Sequence, residues 1–202
     1  MLQKQAVKPE LLELLVQFMS IGEFSAFNLV GGTALALYEG HRISVDIDLF
    51  GKSVLNEQTF TALLEKVGNT TLLNQSSKIL IYSVNGIKVD FVDYQFDLID
   101  PINIIDGIRI VSKKDIAAMK LNAILGRGSK KDFFDVVQLL KEFSFEQMLS
   151  FYKLKYPAGS EFMVLKSMLY FDDAENEPDP LCINILNWID VKKIIRAEVE
   201  KL

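Results

Sequence analysis

The chain has 202 residues, 50% hydrophobic and 24% charged, which suits one globular domain or slightly more, with material for a real core. Its formal net charge of −5 excludes a generally basic nucleic-acid wrapper, so any polyanion must meet a local patch. One cysteine, Cys182, and one histidine, His41, exclude a disulfide framework and a Cys/His zinc cluster, which leaves carboxylates, the ligands of magnesium or manganese, to hold any metal.

The opening MLQKQAVKPE lacks the apolar run of an export signal, and no stretch nears the roughly 18 uninterrupted apolar residues of a membrane span. A cytoplasmic protein with no membrane partner is expected. Pro9 suits a first helical turn, and Leu11, Leu12, Leu15, Phe18 and Met19 follow at helical spacing. Residues 27–30 read as a short buried strand ended by Gly31-Gly32, with a short helix over 33–38 leaving the glycines. A strand is expected over 44–50 and a helix over about 57–67. Two strands, 78–84 and 87–94, flank Asn85-Gly86, a strong hairpin signal. Residues 101–110 read as a short extended connection.

After Val111 the character changes. Ser112-Lys113-Lys114-Asp115 and Ser129-Lys130-Lys131-Asp132 both fit the Ser-x-x-acid start of a helix. The remainder reads as mainly helical, interrupted near 155–160 and by an acidic loop, 172–180, taken as a solvated turn. The outline is an α/β unit over 1–110 and a helical unit over 111–202 packed against it, contributing basic residues to the cleft.

The most informative stretch is 44–50. Alternation sends Val45, Ile47 and Leu49 toward a core and Ser44, Asp46 and Asp48 to the other face together. Two carboxylates on one strand face repel each other unless a positive group lies between them, and a divalent cation is the natural neutraliser. An exposed Asp-x-Asp pair can also be mere solvated charge, so the upstream glycines matter. Gly31-Gly32, between a buried strand and a helix start, offers free backbone amides that phosphate oxygens can approach closely. Further on, seven basic residues and one acid fall within 109–131. Lys120 and Arg127, seven apart, share a helical face if the helix survives Gly126, a pair of cations that can face an anion together. His41 and Arg42 offer polar or cationic groups to an anion, or Arg42 balances Asp46 and Asp48.

An apolar residue, two glycines, thirteen residues and Asp-Ile-Asp-Leu together resemble the signature of the DNA polymerase β-like nucleotidyltransferases. The resemblance implies a third carboxylate on a neighbouring strand. Val89-Asp90-Phe91 supplies it; Asp93 competes, but alternation puts it on the face opposite Asp90. The wording Gly-Gly-Thr, His-Arg-Ile-Ser-Val-Asp-Ile-Asp-Leu-Phe and the block from Asp115 through Lys120, Arg127, Lys131 and Asp132 to Asp135 resemble one branch, the AbiEii/AbiGii abortive-infection toxins. The fold so implied is α+β: a small mixed sheet flanked by helices, followed by a mainly helical C-terminal half.

The implied activity is transfer of an NMP from an NTP to an acceptor hydroxyl. Asp46 and Asp48 would hold two magnesium (or manganese) ions, with Asp90 on the ion nearest the acceptor. Ser44 and Arg42 would line the nucleotide site. Pyrophosphate would leave toward Gly31, Gly32, Thr33, Lys120 and Arg127, with Lys131 and Asp132 nearby. The acceptor implied is RNA such as the 3′ end of transfer RNA, and the partner a cognate antitoxin. A small-molecule nucleotidyltransferase of the aminoglycoside-modifying kind and a non-catalytic nucleotide-binding module are the competing readings.

Overall fold

In the computed structural model, residues 1–183 and 186–202 are described. Seven strands form one mixed sheet in the order β3-β4-β5-β2-β1-β7-β6. They are β1 (Asn28–Leu29), β2 (Ile47–Gly51), β3 (Thr70–Gln75), β4 (Ile79–Val84), β5 (Ile87–Asp93), β6 (Asn103–Ile105) and β7 (Ile108–Ile110). β2 runs parallel to β5 and β1 parallel to β7, while the other neighbours are antiparallel. The β4–β5 hairpin turns at Asn85 (φ 52°) and Gly86 (φ 81°), the pair of positive φ values that a two-residue turn needs to match strand twist.

One face of the sheet is a core. Ile47, Leu49, Leu80, Tyr82, Val84, Val89 and Phe91 are all buried on it. Phe91 lies at the centre of an aromatic cluster, with ring centroids of Phe18, Phe24, Phe27 and Phe60 between 4.7 and 6.2 Å away. Those rings come from α1 (Pro9–Ser20), from the segment before β1, and from α3 (Glu57–Leu64). The opposite face is open near β2 and β5.

The second half is helical: α4 (Lys113–Gly126), α5 (Lys130–Leu139), α6 (Phe145–Lys155), α7 (Glu161–Met168), the short α8 (Asp172–Glu175) and α9 (Trp188–Val199). α4 is surrounded by α2 (Gly31–Glu39), α5, α6 and α7, which is why it is apolar on several sides. Ser112 caps it by accepting from the Asp115 amide at 3.1 Å, as the Ser-x-x-acid pattern predicts. No helix among the described residues is long and apolar enough to cross a membrane.

Several expectations need correction. Val45 is 54% exposed, because the strand starts only at Ile47 and the chain before it instead bridges Ser44 to Val7. Residues 101–110 form the β6–β7 hairpin, turned at Asp106 (φ 52°) and Gly107 (φ 79°). β3 was absent from the sequence outline. Ser129 does not cap α5; its hydroxyl bonds Glu177 at 2.8 Å. The acidic loop is no free turn: Lys130, buried, reaches the Glu175 carbonyl at 3.3 Å and Asp179 at 3.0 Å. The expected run of helix toward the C-terminus also covers Asn184 and Ile185, outside the described residues.

Candidate active site

The register of β2 on β5 pairs Asp48 directly with Asp90, while the flanking pairs Ile47–Val89 and Leu49–Phe91 face the core. The two carboxylates therefore share the open face. Asp46 lies one residue before β2, half-buried, with Lys131 Nζ 3.6 Å from its Oδ2. Thr33, buried in α2, donates to the Asp46 carbonyl and reaches the Ser44 hydroxyl at 2.8 Å. Thr33 and Ser44 thus brace the chain entering β2. Neither lines the cleft in front of the carboxylates.

The two glycines clear room for different side chains. A Cβ on Gly31 would lie 2.3 Å from Asp48 Oδ2, and its φ of +70° disfavours other residues in any case. A Cβ on Gly32 would lie 2.2 Å from Arg42 Nη2. Arg42 passes this gap to grip Asp135, Nε to Oδ1 at 2.7 Å and Nη2 to Oδ2 at 2.9 Å. His41 Nε2 meets the same Oδ1 at 2.7 Å. Lys120 Nζ lies 2.5 Å from Asp135 and 2.8 Å from Asp132, and Arg127 holds Asp132 at 2.9 and 3.2 Å. In the sequence Asp135 stands only at the end of the block that carries the family resemblance; in the structure it is a buried hub for His41, Arg42 and Lys120.

Electrostatics separate these carboxyls into two kinds. Burial alone would raise Asp135, yet Arg42 and Lys120 hold it well below the usual carboxylate range. Asp132 is likewise lowered against burial by Lys120 and Arg127. Asp48 is the reverse: burial pushes it up, the charge of Asp90 adds to that, and Lys120 and Lys88 only partly offset it. Lys88, which sequence reasoning missed, sits on both Asp90 oxygens at 2.6 Å. The signal was present, since Lys88 and Asp90 are two apart on one strand. Asp93 lies away from this group and accepts from the Ser53 amide at 3.3 Å.

A cleft of about 440 Å³ opens over the pair, lined by Gly31, Gly32, Asp48 and Asp90 on the sheet side and by Lys120, Arg127 and Lys131 on the helical side. Arg42 and Lys120 reach it buried and committed to carboxylates. Arg127 also holds Asp132, but its side chain is 60% exposed, and it and Lys131 are the cations most open to an incoming anion.

The donor set fits a divalent cation in kind: hard oxygens, one raised by burial and by the charge of Asp90 and without an ion pair among the described residues, the other covered by an ammonium where a cation would sit. As the side chains stand, no three His, Cys, Asp or Glu groups among the described residues converge on one point. Holding one ion with Asp46, Asp48 and Asp90 together would require Asp46 to leave Lys131 and Lys88 to leave Asp90.

A sheet carrying paired carboxylates beside a diglycine helix start, backed by a helical half, is the nucleotidyltransferase fold, and the overall comparison agrees. JHP933 from Helicobacter pylori superposes with a TM-score of 0.56 at 18% identity, over 97% of this chain and 94% of that one. MenT4, a nucleotidyltransferase toxin from Mycobacterium tuberculosis H37Rv, gives 0.57 at 14% identity, over 95% and 84%. An uncharacterized protein of Aquifex aeolicus strain VF5 is 36% identical over 177 residues, 85% of this chain and 86% of its own. Residues 13–181 match the family described as nucleotidyl transferase AbiEii toxin, Type IV TA system. The chain belongs to that family and is a nucleotidyltransferase.

Proposed function

We propose that the protein transfers a nucleotidyl group from an NTP to a hydroxyl at the end of an RNA such as transfer RNA, as the cytoplasmic toxin of a toxin–antitoxin pair. The observation that carries this reading is the in-register pair Asp48 and Asp90 on the open sheet face, fronted by Gly31. Asp46, Asp48 and Asp90 would hold magnesium or manganese, in a two-metal site in this reading, supplying charge neutralisation at the reacting phosphate. The backbone at the start of α2, Gly31 and Gly32, faces the triphosphate. Arg127 and Lys131 hold the β and γ phosphates, and Lys120, fixed by Asp132 and Asp135, adds positive charge behind them. Asp90 takes the proton of the acceptor hydroxyl. The new O–Pα bond forms in line as the bond from Pα to pyrophosphate breaks, so positioning and charge supply most of the rate. The 1–110 unit carries the carboxylates and the 111–202 unit the phosphate-binding cations.

The test is incubation of the protein with total RNA, magnesium and each of the four labelled NTPs. The expected result is a labelled RNA band with one or a few NTPs. Label on a small molecule but not on RNA supports an aminoglycoside-type acceptor instead, and NTP binding without transfer to anything supports a nucleotide-binding module.

A further inference from the structure

The face that carries the carboxylates continues beyond them. Along β2 the same side presents Asp48, Phe50 and, just past the strand, Lys52; along β5 it presents Asp90, Val92 and, just past the strand, Tyr94. Two residues, or about 7 Å, beyond Asp48 the floor turns from acidic to aromatic. There it opens into a second hollow of about 470 Å³, which shares Val30, Phe50, Tyr94 and Met119 with the carboxylate cleft. The volume lies within the roughly 300–1,000 Å³ of small-ligand sites.

This hollow is built rather than loose. Phe50 and Tyr94 have ring centroids 5.2 Å apart, Tyr94 and Phe96 also 5.2 Å, and Phe96 meets Tyr156 edge-on at 4.8 Å. The loop carrying Phe96 is fastened from below. Buried Asp115 accepts from the Ile99 amide at 2.9 Å and the Asp100 amide at 3.3 Å. Buried Lys155 donates to the Asp97 carbonyl at 2.9 Å and to Asp115 at 2.7 Å. Despite this anchoring Phe96 remains 46% exposed, an aromatic face presented and left uncovered. At the rim stand the Asn28 side chain and the Lys52–Asp97 ion pair, 2.5 Å long.

We propose that this hollow receives a nucleobase, the base of a nucleotide whose phosphate or hydroxyl lies at Asp48 and Asp90. A base is flat, uncharged and apolar on its faces, which matches Phe50 and Phe96. Its polar edge meets Asn28, and Lys52 can exchange Asp97 for a backbone phosphate. The inference rests on the nucleotidyl-transfer reading above. The base can belong to the NTP or to the terminal nucleotide of the acceptor, and the two sources separate on titration.

The experiment compares the full chain with its Phe96→Ala and Phe96→Trp variants by calorimetric titration in magnesium. The ligands are the four α,β-methylene NTP analogues, tripolyphosphate, and a single-stranded RNA with a free 3′ hydroxyl. Losing one base stack should weaken binding about 5- to 150-fold. With the NTP base in the hollow, Phe96→Ala weakens the analogues and leaves tripolyphosphate and RNA unchanged; with the acceptor base there, RNA alone weakens. Phe96→Trp retains binding in either case. Unchanged affinity for every ligand overturns the base site while leaving the nucleotidyl-transfer reading standing, and so does a parallel loss of tripolyphosphate. Failure of the wild-type chain to bind any of them removes both.

Discussion

Asp48 is a costly residue for the fold. Burial and the charge of Asp90 raise its carboxyl, with Asp46 adding to the repulsion and Lys120 and Lys88 only partly relieving it. A carboxyl raised on folding binds its proton more tightly in the native state. Its cost is therefore absent below the unfolded value of about 3.9, grows as pH rises, and is complete above the folded value. At neutral pH without metal, Asp48→Asn should melt at or above the wild-type temperature while transfer falls at least ~10³-fold. A calorimetric scan beside a turnover assay checks both; a variant that melts well below wild type would show that Asp48 is structural. Gly31 tests the same point from the other side. Gly31→Ala sets a Cβ 2.3 Å from Asp48 Oδ2 at a left-handed φ, so stability should fall by roughly 1–2 kcal/mol. A displacement of about 1 Å at the carboxylate should lower turnover around 10²-fold. Full activity in that variant would mean Asp48 need not sit where it does.

At the scale of elements, the ionic network joining α4, α5 and the His41-Arg42 segment fixes the wall of the cleft. Asp135→Asn leaves Arg42 and Lys120 short of a buried counter-charge and should cost about 3–5 kcal/mol, read from urea denaturation. Asp132 and Asp135 are both lowered on folding, so their contribution is present above the ordinary carboxylate value and is lost as pH falls through the lowered ones. Acid unfolding of the wild type should therefore begin below about pH 4, and Asp135→Asn should flatten that part of the profile. An unchanged acid profile would show that the network adds no pH-dependent stability.

The same elements show what the sequence could and could not display. Strands with one buried face wrote their alternation plainly, as at Ile47, Leu49, Val89 and Phe91, and the Ser112 cap and the Asn85-Gly86 turn were local chemistry. β3 left no such trace: as an edge strand with mostly exposed side chains it is held by backbone pairing to β4. The β6–β7 turn did carry a signal in Asp106-Gly107, but its three-residue strands are too short to show a period. Asp135 meets Arg42 and His41 across more than ninety residues, a separation at which no spacing rule operates.

For the whole molecule, the proposed RNA acceptor meets a chain of net charge −5, so only local cations can hold it. If about three of them, such as Arg127, Lys131 and Lys52, replace counterions on single-stranded RNA, log Kd against log salt should have a slope of magnitude near 2. A slope near zero in a filter-binding titration would exclude an RNA acceptor held electrostatically. The segment 181–183, which doubles back to pair with 41–43 through the Ile43 amide to the Leu181 carbonyl at 2.8 Å, ties the helical half to the chain leading into β2. Only the folded chain reveals that return.

The most direct test of the whole account is manganese binding followed by electron paramagnetic resonance, on wild-type, Asp48→Asn and Asp90→Asn protein, without nucleotide and with an NTP analogue. The wild-type chain should remove free manganese from solution, more tightly once the analogue is added, and either substitution should abolish both effects. Manganese held equally well by all three proteins would place the cation, and the chemistry, somewhere other than the sheet face of β2 and β5.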